Sequence, residues 1–157
     1  MQNEKQRTCG ECSECCKTHQ VIELKKRAGK WCRFRVKGLG CRIYQKHPKG
    51  CVQFECQWLK GHGEESDRPD RTGIVVDCLV LELIGETIVL YEGMNGAFDG
   101  EYGKALVAHY IHLNFPVFKK FLSGKEVFLI PRTLQISLKK LQMLIEEKRQ
   151  IFIAEAH

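Results

Sequence analysis

The stretch Thr72-Gly-Ile-Val-Val-Asp-Cys-Leu-Val-Leu-Glu-Leu-Ile-Gly-Glu-Thr-Ile-Val-Leu-Tyr91 decides the fold class. From Thr72 to Leu83 it is rich in β-branched and other apolar residues, namely Ile74, Val75, Val76, Leu79, Val80 and Leu81. Gly85-Glu86 then leads into a second such run, Thr87 to Tyr91. Two runs of this kind around a glycine read as a β-hairpin. Asp77, Glu82 and Glu86 break the apolar content between Ile74 and Leu90 with strand-like alternation, so no membrane span is expected. Cys78 falls inside the first strand, where a cysteine serves as a small core residue.

Working outward from the hairpin, Gly93, Gly96, Gly100 and Gly103 mark a glycine-rich loop. Their spacing fits neither a G-x-G-x-x-G fingerprint nor a Walker loop, so they read as turn residues without a phosphate role. Glu101 to Asn114 reads as a helix with Tyr102, Leu106, His109 or Tyr110, and Leu113 on one face, ended by Pro116. Val117 to Leu122 is expected to add one helical turn, and Lys125 to Ile130 has the pattern of a third strand. Pro131-Arg-Thr133 is a start signal for a final helix, in which Leu134, Leu138, Leu141 and Ile145 recur beside Leu144. The whole is an α+β fold: a small cysteine-rich, metal-stabilised N-terminal region packed on a β-hairpin or short sheet with two or three helices.

Upstream the composition changes. Gly61 to Asp70 is rich in Gly, Asp, Glu and Pro and reads as a seam between a cysteine-cluster region, residues 1–60, and an α+β region, residues 61–157, the two packing into one compact domain. Eight of the nine cysteines lie in the first region: Cys9, Cys12, Cys15, Cys16, Cys32, Cys41, Cys51 and Cys56. A C-x-x-C step brings two thiolates to one ion across a tight turn, and two steps sharing Cys12 bring three. Adjacent side chains are expected to diverge, so Cys15 and Cys16 should serve two metals or two irons, which makes the site polynuclear. A disulfide scaffold is disfavoured by the odd count and by the polar start Met1-Gln-Asn-Glu-Lys-Gln-Arg, which lacks the apolar run of a secretory signal; a reducing, cytoplasmic setting is the expectation.

Residues 1–60 hold fourteen Lys and Arg against five Asp and Glu, whereas residues 61–157 hold eleven against fourteen, within an overall charge of +6. Eight thiolates around two zinc ions would lower the N-terminal balance from +9 to about +5, so much of the basic charge can balance anionic sulfur. Lys25, Lys26, Arg27, Lys30, Arg33, Arg35 and Lys37 interleave with Trp31 and Phe34, a composition compatible with nucleic acid, though a solvated basic face is favoured. Among the histidines, His19 is the best non-cysteine ligand candidate because it follows Cys16 by three residues. His109 and His112, three apart on a helix without an acidic partner in metalloprotease spacing, read as packing residues, and His47 and His62 carry no spacing argument.

The pattern Cys9-x2-Cys12-x2-Cys15-Cys16, a lone Cys32, then Cys41-Arg-Ile-Tyr-Gln-Lys-His-Pro-Lys-Gly-Cys51-Val-Gln-Phe-Glu-Cys56 resembles the YkgJ-type, or CxxCxxCC, cysteine-cluster family of zinc- or iron-chelating proteins. His47 stands where that family usually has arginine. Arg68 to Asp77 also resembles the segment after the cluster in some members. The resemblance implies a metal site and little more; beside it, zinc is placed ahead of iron or an iron–sulfur cluster, in a binding or accessory module whose surface is open to an unidentified protein partner. The alternative it implies is an iron–sulfur-dependent enzyme or redox component related to lysine N-methylation proteins. Neither a glycine-rich S-adenosylmethionine loop nor C-x3-C-x2-C spacing is present, so no reaction and no catalytic residue follow from the sequence.

Overall fold

The computed structural model describes residues 7–82, 84–134, 136, 137, 139, 143 and 151–155. The N-terminal part is built from very short elements. These are a one-turn helix α1 (Cys15–Thr18), strands β1 (Arg35–Val36) and β2 (Gly40–Cys41), and a short helix α2 (Lys49–Gln53), with 3-10 turns at Ile22–Leu24 and Tyr44–Lys46. None is long enough to be stable alone, since nucleating a helix costs more than one turn returns.

The segment expected as a seam is structured. It forms a 3-10 turn at Glu65–Asp67, in which the Glu64 N–H donates to Asp67 at 2.8 Å, and then helix α3 (Pro69–Thr72). Pro69 sits at the first helical position, where its missing N–H costs nothing, and Gly73 closes the helix at φ 72°, a conformation glycine adopts without penalty.

The remaining elements form one sheet. β3 (Ile74–Leu81) and β4 (Gly85–Glu92) make the expected hairpin, paired from Ile74 opposite Glu92 to Leu81 opposite Gly85. Helix α4 (Glu101–His112) follows and ends where Asn114 takes a left-handed backbone at φ 66°. Next come β5 (Val117–Lys120), β6 (Glu126–Ile130) and β7 (Ile151–Glu155), in the spatial order β3-β4-β5-β6-β7. β5 runs parallel to β4, and β7 parallel to β6, while the other neighbours are antiparallel. β4, α4 and β5 therefore form a crossover unit, because two parallel strands cannot be joined by a tight turn.

β5 corrects the helical turn expected at Val117 to Leu122. Val117 is fully buried against Ile88 and Leu129 in the neighbouring strands, and the pairing with β4 and β6 satisfies both backbone edges. The final helix expected from Leu134 to Ile145 falls mostly outside the described residues, of which Lys139 and Met143 are helical.

The sheet is covered on both faces near β4. Ile74, Ile88, Leu90 and Val117 pack with Phe98 against Leu106, Val107, Tyr110 and Ile111 of α4. Val89, Phe118 and Phe128 form a second cluster with Tyr91 and Ile130, as the alternation of β side chains requires. The cysteine region reaches this second cluster through the His19 ring, whose centroid lies 4.2 Å from that of Tyr91 and 3.9 Å from that of Phe54. The Gln57 N–H donates to Val76 at 2.8 Å and the Lys17 ammonium to the Gly93 carbonyl at 2.6 Å, adding two polar ties between the regions. Among the described residues no helix is long and apolar enough to cross a membrane.

Candidate metal centre

Tight turns set the cysteines in place. The Cys12 N–H donates to the Cys9 carbonyl at 2.8 Å and the Cys16 N–H to the Ser13 carbonyl at 2.9 Å, so the chain curls twice and then enters α1. The Cys32 N–H donates to the Cys16 carbonyl at 3.0 Å, which hooks the second cysteine segment onto the first. The β1–β2 hairpin sets Cys41 opposite Arg35. Gly40, at φ 87°, lies flat against the carbonyl of Gly10, where any Cβ would collide with the oxygen. That close approach holds Cys41 beside the Cys9–Cys12 turn, a use of glycine that no other residue can supply. Cys51 sits in α2, its N–H donating to the Pro48 carbonyl at 3.0 Å.

The result is one cavity of about 370 Å³ whose wall carries Cys9, Cys12, Cys15, Cys16, Cys32, Cys41 and Cys51 together with His19, His47 and Glu55. Cys56 is not part of that wall, although its charge acts on both Cys9 and Cys12. Seven of the eight cysteines expected as ligands are thus brought to one space, and the eighth stands next to it. Cys78 is elsewhere. It packs with the α4-side cluster and borders a separate cleft of about 870 Å³ with Trp58, Val76, Leu106 and Tyr110, in keeping with its reading as a core residue. His109 lies on that cleft too, stacked edge-on against Tyr110 and away from the cysteines.

Burial pushes most of these thiols above their ordinary acidity range. This holds for Cys9, Cys41, Cys51 and Cys56, and Cys12 is pushed up to about 11. Backbone N–H groups work against that trend at several sulfurs: those of Glu14 and Asp70 at Cys12, Ile43 at Cys41, and Leu59 and Trp58 at Cys56. The Tyr44 hydroxyl does the same at Cys9. Such donors stabilise a thiolate, and they are the kind of contact that surrounds metal-bound sulfur.

Cys15 and Cys16 depart from expectation. Their side chains do not diverge: the Cys15 thiol donates to the Cys16 sulfur, raising Cys15 and lowering Cys16 to about 7. Lys26 and Arg35 also favour the Cys16 thiolate. The argument for a polynuclear site therefore rests on the number of thiols alone, since a tetrahedral ion takes four.

Other contributors were not legible as site residues. Lys26 is buried, its ammonium donating to the carbonyls of Lys17 at 2.9 Å and of His19, and it draws charge compensation from Cys16, Cys32, Cys15 and Cys51. Its place in a run of basic residues hides this role. Glu14 lies buried between two cysteines with its Oε2 unpartnered, and burial raises its pKa. Burial likewise lowers His19 to about 4, with Lys26 and Lys120 adding to the effect, so the ring is neutral at physiological pH. In the basic–aromatic run Lys25, Arg27, Lys30, Trp31, Arg33 and Lys37 are exposed, while Arg35 lies 3.9 Å from the centroid of Trp31 and its Nε donates to the Ser13 hydroxyl; Lys17 of α1 lies 5.3 Å from the same ring.

The donor set is mainly soft: sulfur with the imidazoles of His19 and His47, the chemistry that selects zinc, copper(I) or iron–sulfur clusters over hard cations. Among the described residues, no three His, Cys, Asp or Glu side chains are grouped so that they could hold one ion as they stand. In comparison with known proteins, no family model, no curated protein and no solved structure matches this chain.

Proposed function

We propose that this protein binds transition metal through thiolates drawn from Cys9, Cys12, Cys15, Cys16, Cys32, Cys41, Cys51 and Cys56, and serves as a metal-stabilised binding or accessory module in the cytoplasm. The observation that carries this reading is the single cavity walled by seven of these cysteines. All nine cysteines are free thiols, as metal binding in a reducing compartment requires. The resemblance of the cysteine spacing to the YkgJ-type family supports the same reading. Metal entry would ionise the thiols and draw them inward by side-chain rotation, replacing the proton-shared contact of Cys15 and Cys16 with metal bonds. Zinc in closed four-thiolate sites comes first, because such sites supply folding energy to a region whose elements are each only two to five residues long.

Elemental analysis of protein purified without air tests the proposal. About two equivalents of zinc in a colourless sample is the expected result. A brown sample with broad visible absorption would replace zinc by iron and sulfur. Less than about half an equivalent of any transition metal would refute the metal reading, since a structural thiolate site is expected to load fully.

A further inference from the structure

We propose that His19 is a ligand of this centre through Nε2, alongside the cysteines; the proposal rests on the thiolate metal reading above and narrows it.

The first support is the orientation of the ring. It is clamped between Phe54 and Tyr91, at centroid distances of 3.9 and 4.2 Å, so it cannot turn freely. His19 Nδ1 lies 2.8 Å from the Thr18 hydroxyl oxygen, and that hydroxyl also lies 3.2 Å from the Glu14 carbonyl four residues back. A hydroxyl has one proton. A threonine in a helical turn gives it to the carbonyl four residues back. Thr18 Oγ1 is then the acceptor for His19, which places the imidazole proton on Nδ1 and leaves Nε2 as a bare lone pair.

That lone pair is buried and has no hydrogen-bond partner. Stripping a polar atom of water without a replacement is costly, and native proteins seldom leave such an atom unsatisfied. A metal ion is the partner that this tautomer suits, because a ligating histidine gives its other ring N–H to an oxygen acceptor, as Nδ1 does here.

The second support concerns the wall of the cavity. His19 stands on it among seven cysteines, with its Nε2 unpartnered, whereas His47, the other imidazole on that wall, lies edge-on against Tyr44. Three of those sulfurs with the His19 nitrogen would make one four-coordinate site.

The experiment uses the full chain loaded with cadmium-113, a soft ion that takes zinc's ligands, with histidine labelled by nitrogen-15. Cadmium NMR then reads each site separately. The expected result is one cadmium line split by coupling to a single histidine nitrogen. The splitting should vanish in His19→Gln. In His19→Cys it should vanish while full cadmium stoichiometry is kept, which separates loss of the nitrogen donor from loss of the fold. His47→Gln should leave the splitting in place. Stoichiometric cadmium without nitrogen coupling, or coupling that survives in His19→Cys, would overturn the His19 assignment and leave the thiolate reading standing. Splitting that vanishes in His47→Gln and persists in His19→Gln would give the nitrogen to His47 and overturn the proposal. Failure to bind cadmium at all would overturn both readings.

Discussion

The Cys15 thiol donates a hydrogen bond to the Cys16 sulfur, and this one contact splits the acidity of two neighbouring residues: Cys15 is held well above the ordinary thiol range and Cys16 is drawn down to about 7. Cys16 is thus the more readily ionised of the two, whereas partial burial favours the protonated form at Cys9, Cys12, Cys41, Cys51 and Cys56. A cation entering the cavity meets one sulfur that ionises easily, steadied by Lys26 and Arg35, and must displace protons from those held high.

Metal loading at pH 7 should accordingly release protons. Each coordinating thiol above its ordinary range gives up about one, and Cys9, Cys12, Cys15, Cys41, Cys51 and Cys56 are all held there, so a full thiolate set releases about six or more. The sign follows from linkage: binding that expels protons tightens as pH rises and weakens as it falls. Calorimetry in buffers of different ionisation enthalpy counts the protons, and fewer than about four would mean that most of these cysteines are not ligands.

Chelation should divide the molecule. The cysteine region hangs on single hydrogen bonds such as Cys32 N–H to the Cys16 carbonyl, whereas β3 and β4 share an eight-residue register over a buried core. Hydrogen exchange after metal removal is expected to accelerate across residues 9–56 and to stay slow at Val75, Val89 and Leu90. Unchanged protection of Cys32 and Cys51 in metal-free protein would contradict the idea that metal supplies the missing core.

Gly40→Ala should damage the metal site from a distance. Its Cβ would strike the Gly10 carbonyl oxygen in a backbone at φ 87°, costing about 2 kcal/mol and pushing Cys41 away from the Cys9 turn. Gly103→Ala meets the Ala97 carbonyl in α4 and should cost a similar amount. Metal content per folded molecule is expected to fall in the first variant and to hold in the second; equal content in both would show that the Gly40–Gly10 contact does not position a ligand.

Cys78→Ser should leave metal content unchanged. The residue packs with the α4-side cluster, so the substitution introduces a hydroxyl into a half-buried apolar site at a cost of about 1–2 kcal/mol. A lowered melting temperature with full metal is the expected outcome, and loss of metal would place Cys78 among the ligands.

Local sequence determined those features whose cause is local. The hairpin from Ile74 to Glu92, helix α4 and strand β6 follow from residue type and period over five to twelve residues. The density of cysteines before residue 57 likewise motivates the proposal of a soft-metal site without any knowledge of the fold. Val117-Phe-Lys-Lys120 is too short for its period to separate strand from helix, and its parallel pairing with β4 across α4 decided the matter. Tertiary structure also decided which cysteines share the cavity, that Cys15 and Cys16 touch, and that Lys26 is drawn out of a basic run into the interior. It placed the His19 ring between Phe54 and Tyr91, residues 35 and 72 positions further along the chain. These are matters of burial and of contact between distant segments, and spacing along a chain records neither.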